Sequence, residues 1–336
     1  MASRRRSRVT LVKQWWVIPG SDGGQYELRE VAHPEPEPSQ VVVAVRGAGV
    51  NRGELIGQPL MNLANPKARP RSSGIEFAGQ ITSVGRSVDT WSIGDRVMGR
   101  GTACHAEFVA VDAAALMSIP AEISFDEAAA IPNVFVTAHD AMMTAAAVSA
   151  GESILITAGS SGVGTAAIQI AANLPARHIV ATTRSPAKAE ELIALGATLV
   201  IDTTQPRWTE RVSAATGGID VVIDQVGGVL LGQCLETMCV EGRYVTVGRN
   251  GGAEATIDLD LVARQRLSII GVTFRTRSPT EALACSARFV DDLLPSFEDG
   301  SLKPVLDRIF PLDELNAAHE YMRADTHIGK IVLVTG

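Results

Sequence analysis

Residues 152–172, ESILITAGSSGVGTAAIQIAA, constrain the fold more than any other stretch of the chain. An apolar, β-prone run ending at Ile154-Leu155-Ile156-Thr157 breaks into glycine and serine and then into an alanine-rich helical pattern, the layout of strand, tight loop and helix. Within it Gly162, Gly164 and Ala167 satisfy G-x-G-x-x-[GA]. In that pattern the first glycine permits the turn, the second lets backbone approach a pyrophosphate, and the third small residue lets helix pack on strand. The helix N-terminus supplies free N–H groups and the positive end of the dipole, which favour an anion. Gly159, Ser160, Ser161, Gly162, Val163 and Gly164 are therefore the expected phosphate cradle of a dinucleotide site. An ordinary glycine turn competes with it, but the apolar run before the loop and Ile168, Ile170 and Ala171 after it supply the required context.

From residue 153 onward, strand and helix patterns alternate. Candidate strands are Ile154–Thr157, His178–Thr183, Leu199–Asp202, Ile219–Asp224, Tyr244–Val247 and Ser268–Val272. Such alternation predicts an α/β unit with a doubly wound parallel sheet, and six strands match a Rossmann sheet. The helix between the second and third is marked by Ser185 as N-cap, Pro186 at N1, Leu192 and Leu195 on one face, and Gly196 as stop. Before residue 132 the texture is different: short β runs at 40–46, 75–84, 96–98 and 107–111 lie between proline and glycine clusters, predicting a compact β-rich domain. Residues 33–38 read as an extended connector, 61–73 as an exposed loop, 125–147 as partly helical, 279–301 as helix, and 304–310 and 330–335 as strands. There is no internal repeat.

At 336 residues two domains are expected. The net charge of −7 and the lack of a basic stripe argue against nucleic acid, with Arg4, Arg5, Arg6 and Arg8 read as a solvated tail. No apolar stretch approaches the ~18 residues of a membrane span, and no signal-peptide core follows the basic start, so a soluble cytoplasmic protein is expected. Cys104, Cys234, Cys239 and Cys285 lack C-x-x-C spacing, indicating neither a disulfide framework nor a cysteine zinc knuckle.

The second strand bears on cofactor choice. NAD sites carry an acid about 20 residues past the glycines, on the ribose hydroxyls, whereas NADP sites replace it. Here the strand ends Thr182-Thr183-Arg184. Thr183, Arg184 and Ser185 could all donate to a 2′-phosphate. Lys188 falls in the first turn of the next helix, where a cation costs roughly 0.3–1 kcal/mol against the dipole unless an anion is near. These features predict NADPH. The alternative is that Arg184 and Lys188 are surface charges offset by Glu190 and Glu191.

The segments Gly49-Val50-Asn51-Arg52, Gly74-Ile75-Glu76-Phe77-Ala78-Gly79, Gly94-Asp95-Arg96-Val97, Val136-Thr137-Ala138, the AGSSGVG loop, Leu195-Gly196-Ala197, residues 220–224 with Val226-Gly227-Gly228, and Ile328-Gly329-Lys330-Ile331-Val332 extend nearly end to end. In them the chain resembles the zinc-free quinone oxidoreductase branch of the medium-chain dehydrogenase/reductase superfamily, the zeta-crystallin-like proteins. The resemblance implies a GroES-like catalytic domain over 1–133, a Rossmann domain over 134–275, a return segment over 276–336 completing the catalytic domain, and an active site in the cleft between them. Zinc-dependent relatives place a cysteine near Asn51, a histidine at Ile75 and a cysteine near Asn133; all three are replaced, and the four-cysteine lobe is absent. No metal is expected. Without a Lewis acid, reduction of a simple carbonyl lacks support for its alkoxide, whereas a quinone or enone delocalises charge onto a remote oxygen.

The resemblance also implies that Asn51 and Thr137 lie near the nicotinamide ribose and ring, with Gly248 and Phe274 near the nicotinamide end and Val226 among the cofactor contacts. Asn51 as a self-bonded turn asparagine, and Thr137 as a helix-start residue, remain open alternatives. Tyr26, Tyr244 and Tyr321 do not fall where related enzymes carry tyrosines, and Thr203 stands where a phosphate-contacting tyrosine is expected. Solvent is the default proton source, with Glu54, Cys104, His105 and His139 as alternatives. Arg69-Pro70-Arg71 reads as a solvated loop or a guide for an anionic substrate. Three functions compete: an NADPH-dependent quinone or enone reductase, a dedicated enoyl or tailoring reductase of a biosynthetic pathway, and a non-catalytic NADPH-binding protein. The resemblance implies a homodimer joined through Rossmann edge strands, for which 267–274 is a candidate.

Overall fold

The computed structural model describes residues 10–336; the arginine-rich start lies outside them. The strands are β1 (Leu11–Ile18), β2 (Gln25–Ala32), β3 (Gln40–Val50), β4 (Arg71–Ser72), β5 (Glu76–Val84), β6 (Arg96–Arg100), β7 (Phe108–Asp112), β8 (Leu116–Ser118), β9 (Ser153–Ile156), β10 (His178–Thr183), β11 (Leu199–Asp202), β12 (Ile219–Asp224), β13 (Met238–Thr246), β14 (Ser268–Gly271), β15 (Leu306–Pro311) and β16 (Lys330–Val334). The described residues form two compact units, one of residues 10–132, 308–326 and 331–336, the other of 133–307 and 327–330.

In the second unit six parallel strands run β11-β10-β9-β12-β13-β14. This is the Rossmann order. All of β9 is buried, as are Ile219 and Val221 through Asp224 of β12, because helices cover both faces of a parallel sheet. That double burial explains why the strands read as continuous apolar runs. Strand order reverses between β9 and β12, and in open α/β sheets the ligand crevice opens at the carboxyl ends beside such a switch point.

In the first unit β3 is the spine of an antiparallel sheet ordered β15-β16-β3-β5-β6-β8, with β7 also on β3. Register shifts at Val42/Val43 and Val45/Gly47 bend β3, so its start pairs β7 and its end pairs β16, Val50 opposite Ile331. A smaller sheet, β2-β1-β4, lies in the same unit. The expected loop at 61–73 is anchored at its ends: Met61 is buried, and Arg71–Ser72 pairs with β1.

The 276–336 segment expected to return whole to the catalytic domain is divided. The helix Pro279–Glu298 packs in the second unit, where Phe297 meets Phe135 edge-on at 4.8 Å between ring centroids and Phe289 stands 6.1 Å from Phe297. An apolar helix face goes where matching rings await it, and here they lie on the helix Pro132–His139. Phe289→Ala removes a fully buried ring from this contact. It should lower unfolding free energy by about 3–5 kcal/mol in a urea titration; a loss below about 1 kcal/mol would show that the ring carries no packing there.

Candidate active site

The phosphate loop is built from the end of β9. Ala158 takes the left-handed conformation (φ 47°), so the reversal is made one turn before the glycines and not at Gly162, whose φ is ordinary. Gly162 is required by space: a Cβ there would lie 2.8 Å from Lys330 Cδ and 2.9 Å from Val134 Cγ1. A Cβ on Gly164 would fall 2.4 Å from the Ala158 carbonyl oxygen, so the loop's own backbone fills that position. Ser161 caps the helix Gly162–Asn173, its Oγ accepting from Gly164 N–H at 3.1 Å. The amides of Gly162 and Val163, at the first turn, have no intrahelical acceptor.

Asp224, the last residue of β12, is fully buried beside this loop. Its Oδ1 accepts from the Thr157 hydroxyl at 2.5 Å and from Val226 N–H at 2.9 Å; its Oδ2 accepts from Gly227 N–H at 2.8 Å and from the Tyr244 hydroxyl. Burial, reinforced by the Asp224 charge, pushes the Tyr244 phenol up, so it remains a neutral donor. The Thr157 hydroxyl accepts in turn from Gln225 N–H at 2.9 Å, and the Asp224 carbonyl accepts from Gly248 N–H at 3.1 Å. Sequence reasoning missed this cluster. Its one signal was a carboxylate directly after the apolar run Val221-Val222-Ile223.

At the end of β10, Thr183 is buried and its Oγ1 accepts from Ser185 N–H at 3.1 Å, while Arg184 is exposed. No acid stands there. The expected helix opens instead as a 3-10 turn, Pro186–Lys188, without a Ser185 side-chain cap, followed by the helix Ala189–Ala194. Lys188 is neither solvated nor in the first α-helical turn: it is buried, and its Nζ donates to the His327 carbonyl at 2.7 Å. The adjoining Gly329 N–H donates to the Ser160 carbonyl at 2.9 Å, so residues 327–330 form a strap across the phosphate loop.

Gly159–Gly164, Thr183, Val226 and Gly248 thus gather at the carboxyl ends of four adjacent strands, β10, β9, β12 and β13. Phe274 follows β14 and is half-buried, with the Arg277 guanidinium 5.1 Å from its ring centroid. Thr137 is half-buried inside the helix Pro132–His139 and is not a helix-start residue.

Asn51 belongs to the other unit. Its Nδ2 donates to Glu76 Oε1 at 2.8 Å and to the Gly49 carbonyl at 3.1 Å, and its backbone N–H donates to Glu54 Oε1 at 3.1 Å. The side chain is therefore oriented by a buried carboxylate as well as by local backbone. Glu54 accepts from His319 Nε2 at 2.9 Å. His105, fully buried, donates from Nε2 to the Gly49 carbonyl at 3.2 Å and accepts at Nδ1 from the Ser73 hydroxyl at 3.0 Å, an arrangement that satisfies the neutral ring. Burial, and then the Glu76 charge, push the Cys104 thiol well up. His139 bonds Asp292 at 2.8 Å. Among the described residues no three His, Cys, Asp or Glu side chains are grouped to hold a metal ion. With asparagine at 51 and isoleucine at 75, the donor set does not fit a catalytic zinc.

Family models match in two blocks, the alcohol dehydrogenase GroES-like domain over 37–138 and the zinc-binding dehydrogenase domain over 195–333. Quinone oxidoreductase-like protein 2 of Bos taurus is 30% identical over 312 residues, covering 91% of this chain and 88% of that protein. The chain belongs to the medium-chain dehydrogenase/reductase superfamily, in its quinone oxidoreductase branch. It is thus an oxidoreductase of a family that binds a nicotinamide cofactor and acts on small molecules. The spectinabilin polyketide synthase system protein NorB of Streptomyces orinoci is 34% identical over 328 residues; these are 95% of this chain but only 14% of NorB. Among solved structures, the CurK enoyl reductase superposes with a TM-score of 0.83 at 26% identity, covering 97% of this chain and 99% of that one. No helix of the described residues is long and apolar enough to cross a membrane.

Two outcomes follow for this oxidoreductase. Asp224→Asn turns an acceptor into a donor facing other donors and should cost about 1–3 kcal/mol for each donor stranded, read as a lower denaturation midpoint; an unchanged midpoint would deny the carboxylate its organising part. Burial pushes all four thiols up, but Cys104, Cys234 and Cys285 are buried whereas Cys239 is half-buried, so a native-state thiol titration at pH 8 should modify Cys239 alone.

Proposed function

We propose that the protein is an NADPH-dependent, zinc-independent reductase of quinones or α,β-unsaturated carbonyls. The observation that carries this reading is the phosphate loop beside a second strand that ends in Thr183 and Arg184 in place of an acid. The amides of Gly162 and Val163 would hold the pyrophosphate, with Gly159, Ser160, Ser161 and Gly164 shaping its cradle. Arg184 and Thr183 would serve the 2′-phosphate, and Lys188 would support it indirectly, by fixing the strap. Asn51 and Thr137 are assigned to the nicotinamide ribose and ring, and Val226, Gly248 and Phe274 to the nicotinamide end. NADPH, when bound, supplies a hydride; solvent supplies the proton. A quinone or enone lets the negative charge developing on the acceptor delocalise onto a remote oxygen, which hydrogen-bond donors can stabilise.

The likeness to NorB and to the CurK enoyl reductase favours a second reading, enoyl reduction in a biosynthetic pathway. Four free thiols suit a reducing compartment, the cytoplasm. A homodimer would join through the edge strand β14, where Ile269 is 43% exposed; light scattering showing a monomer at micromolar concentration would refute it.

NADPH oxidation with an ortho-quinone acceptor, a strong chelator present throughout, should proceed unchanged by the chelator. No loss with NADPH bound would turn to enones or to a non-catalytic role. NADPH should bind at least tenfold more tightly than NADH, and Arg184→Ala should lose about tenfold toward NADPH alone. Equal affinities would end the NADPH assignment.

A further inference from the structure

We infer that Gln225 is a binding residue of the dinucleotide site, its side-chain amide nitrogen donating to a pyrophosphate oxygen. The inference rests on the proposed nicotinamide dinucleotide reading and extends it to a residue that neither the glycine pattern nor the second strand identifies.

Gln225 is only 4% exposed, yet its Nε2 makes no hydrogen bond within the protein. Its Oε1 accepts from the Ser161 hydroxyl at 2.7 Å. The amide orientation follows from the serine: Ser161 Oγ already accepts from Gly164 N–H, so its proton needs an acceptor, and Oε1 is the one at hand. Nε2 is thereby the buried end of the amide left with N–H donors unspent. A buried donor without an acceptor is costly, so such groups in folded proteins usually await a ligand or another partner.

The rest of Gln225 is immobilised. Its N–H donates to the Thr157 hydroxyl at 2.9 Å, and its carbonyl oxygen lies 2.2 Å from where a Cβ on Gly248 would stand. The side chain therefore reaches Ser161, the cap of a twelve-residue helix, from a fixed base. Around that cap the unspent groups are donors: the Gly162 and Val163 amides of the helix start and Gln225 Nε2. The adjoining residue's carboxylate, Asp224, is occupied by its four donors. A cluster of donors at the positive end of a helix matches a phosphate, and the pyrophosphate is common to NADPH and NADH. Gln225 should therefore serve both cofactors equally, whereas Arg184 serves only the one with a 2′-phosphate.

The test is equilibrium titration, by fluorescence, of the full chain with NADPH and with NADH. Gln225→Met, similar in length without the amide, should weaken both by 10- to 100-fold while unfolding remains cooperative. Gln225→Glu keeps an oxygen for Ser161 and turns an anionic oxygen toward the phosphate; it should weaken both more than 100-fold. Affinities within twofold of wild type in either folded variant would overturn the inference, and wild-type binding by Gln225→Glu would move the contact to a ribose hydroxyl. A loss confined to NADPH would also overturn it. If Arg184→Ala leaves cofactor preference unchanged while both Gln225 variants weaken both cofactors, only the NADPH assignment fails. Failure of the wild type to bind either cofactor would end both readings.

Discussion

The Asp224 carboxylate, buried where β12 ends, accepts from the threonine that follows β9, a tyrosine of β13 and two amides of its own turn, and so ties together the strand ends from which the phosphate loop departs. A lone carboxylate in such a place costs several kcal/mol unless its lone pairs are filled. Four donors fill them, and none carries a full positive charge. The site is consequently held by directional bonds that specify where each strand stops. Thr157 is central, because its hydroxyl both donates to Asp224 and receives the Gln225 amide, linking the carboxylate to the cap at Ser161 in two steps.

Much of the second unit was legible because burial on both faces gives its central strands predominantly apolar sequences, β9 above all. His178–Thr183, Leu199–Asp202 and Ile219–Asp224 have the limits the pattern indicated. In the other unit β1 and β2 were hidden. β2 reads QYELREVA with no residue buried, so neither hydrophobic alternation nor a continuous run marks it; its strand character comes from eight paired positions along β1. The helix Pro279–Glu298 was visible as a helix, but its ring-bearing face says nothing about which unit supplies the partner rings.

The site divides along a similar line. The loop residues are marked by local chemistry, small residues where backbone crowds backbone. The reason differs in detail from the motif's usual account: Ala158 bears the left-handed turn, while Gly162 and Gly164 are needed for clearance. Lys188 could not be placed from sequence, since whether an ammonium meets solvent, phosphate or a carbonyl depends on a segment far along the chain. The Gln225 side chain was silent for the same reason; its meaning comes from the serine it faces.

The strap at residues 327–330 has a consequence for the order of events during synthesis. Ser160 and Lys188 emerge long before the Gly329 amide and the His327 carbonyl that complete them. Until those residues are made, the phosphate loop lacks one of its walls, although every strand of its own sheet already exists. Completion of that wall thus waits on a segment far along the sequence from the loop it closes, and long-range closure of this kind is slow compared with local folding.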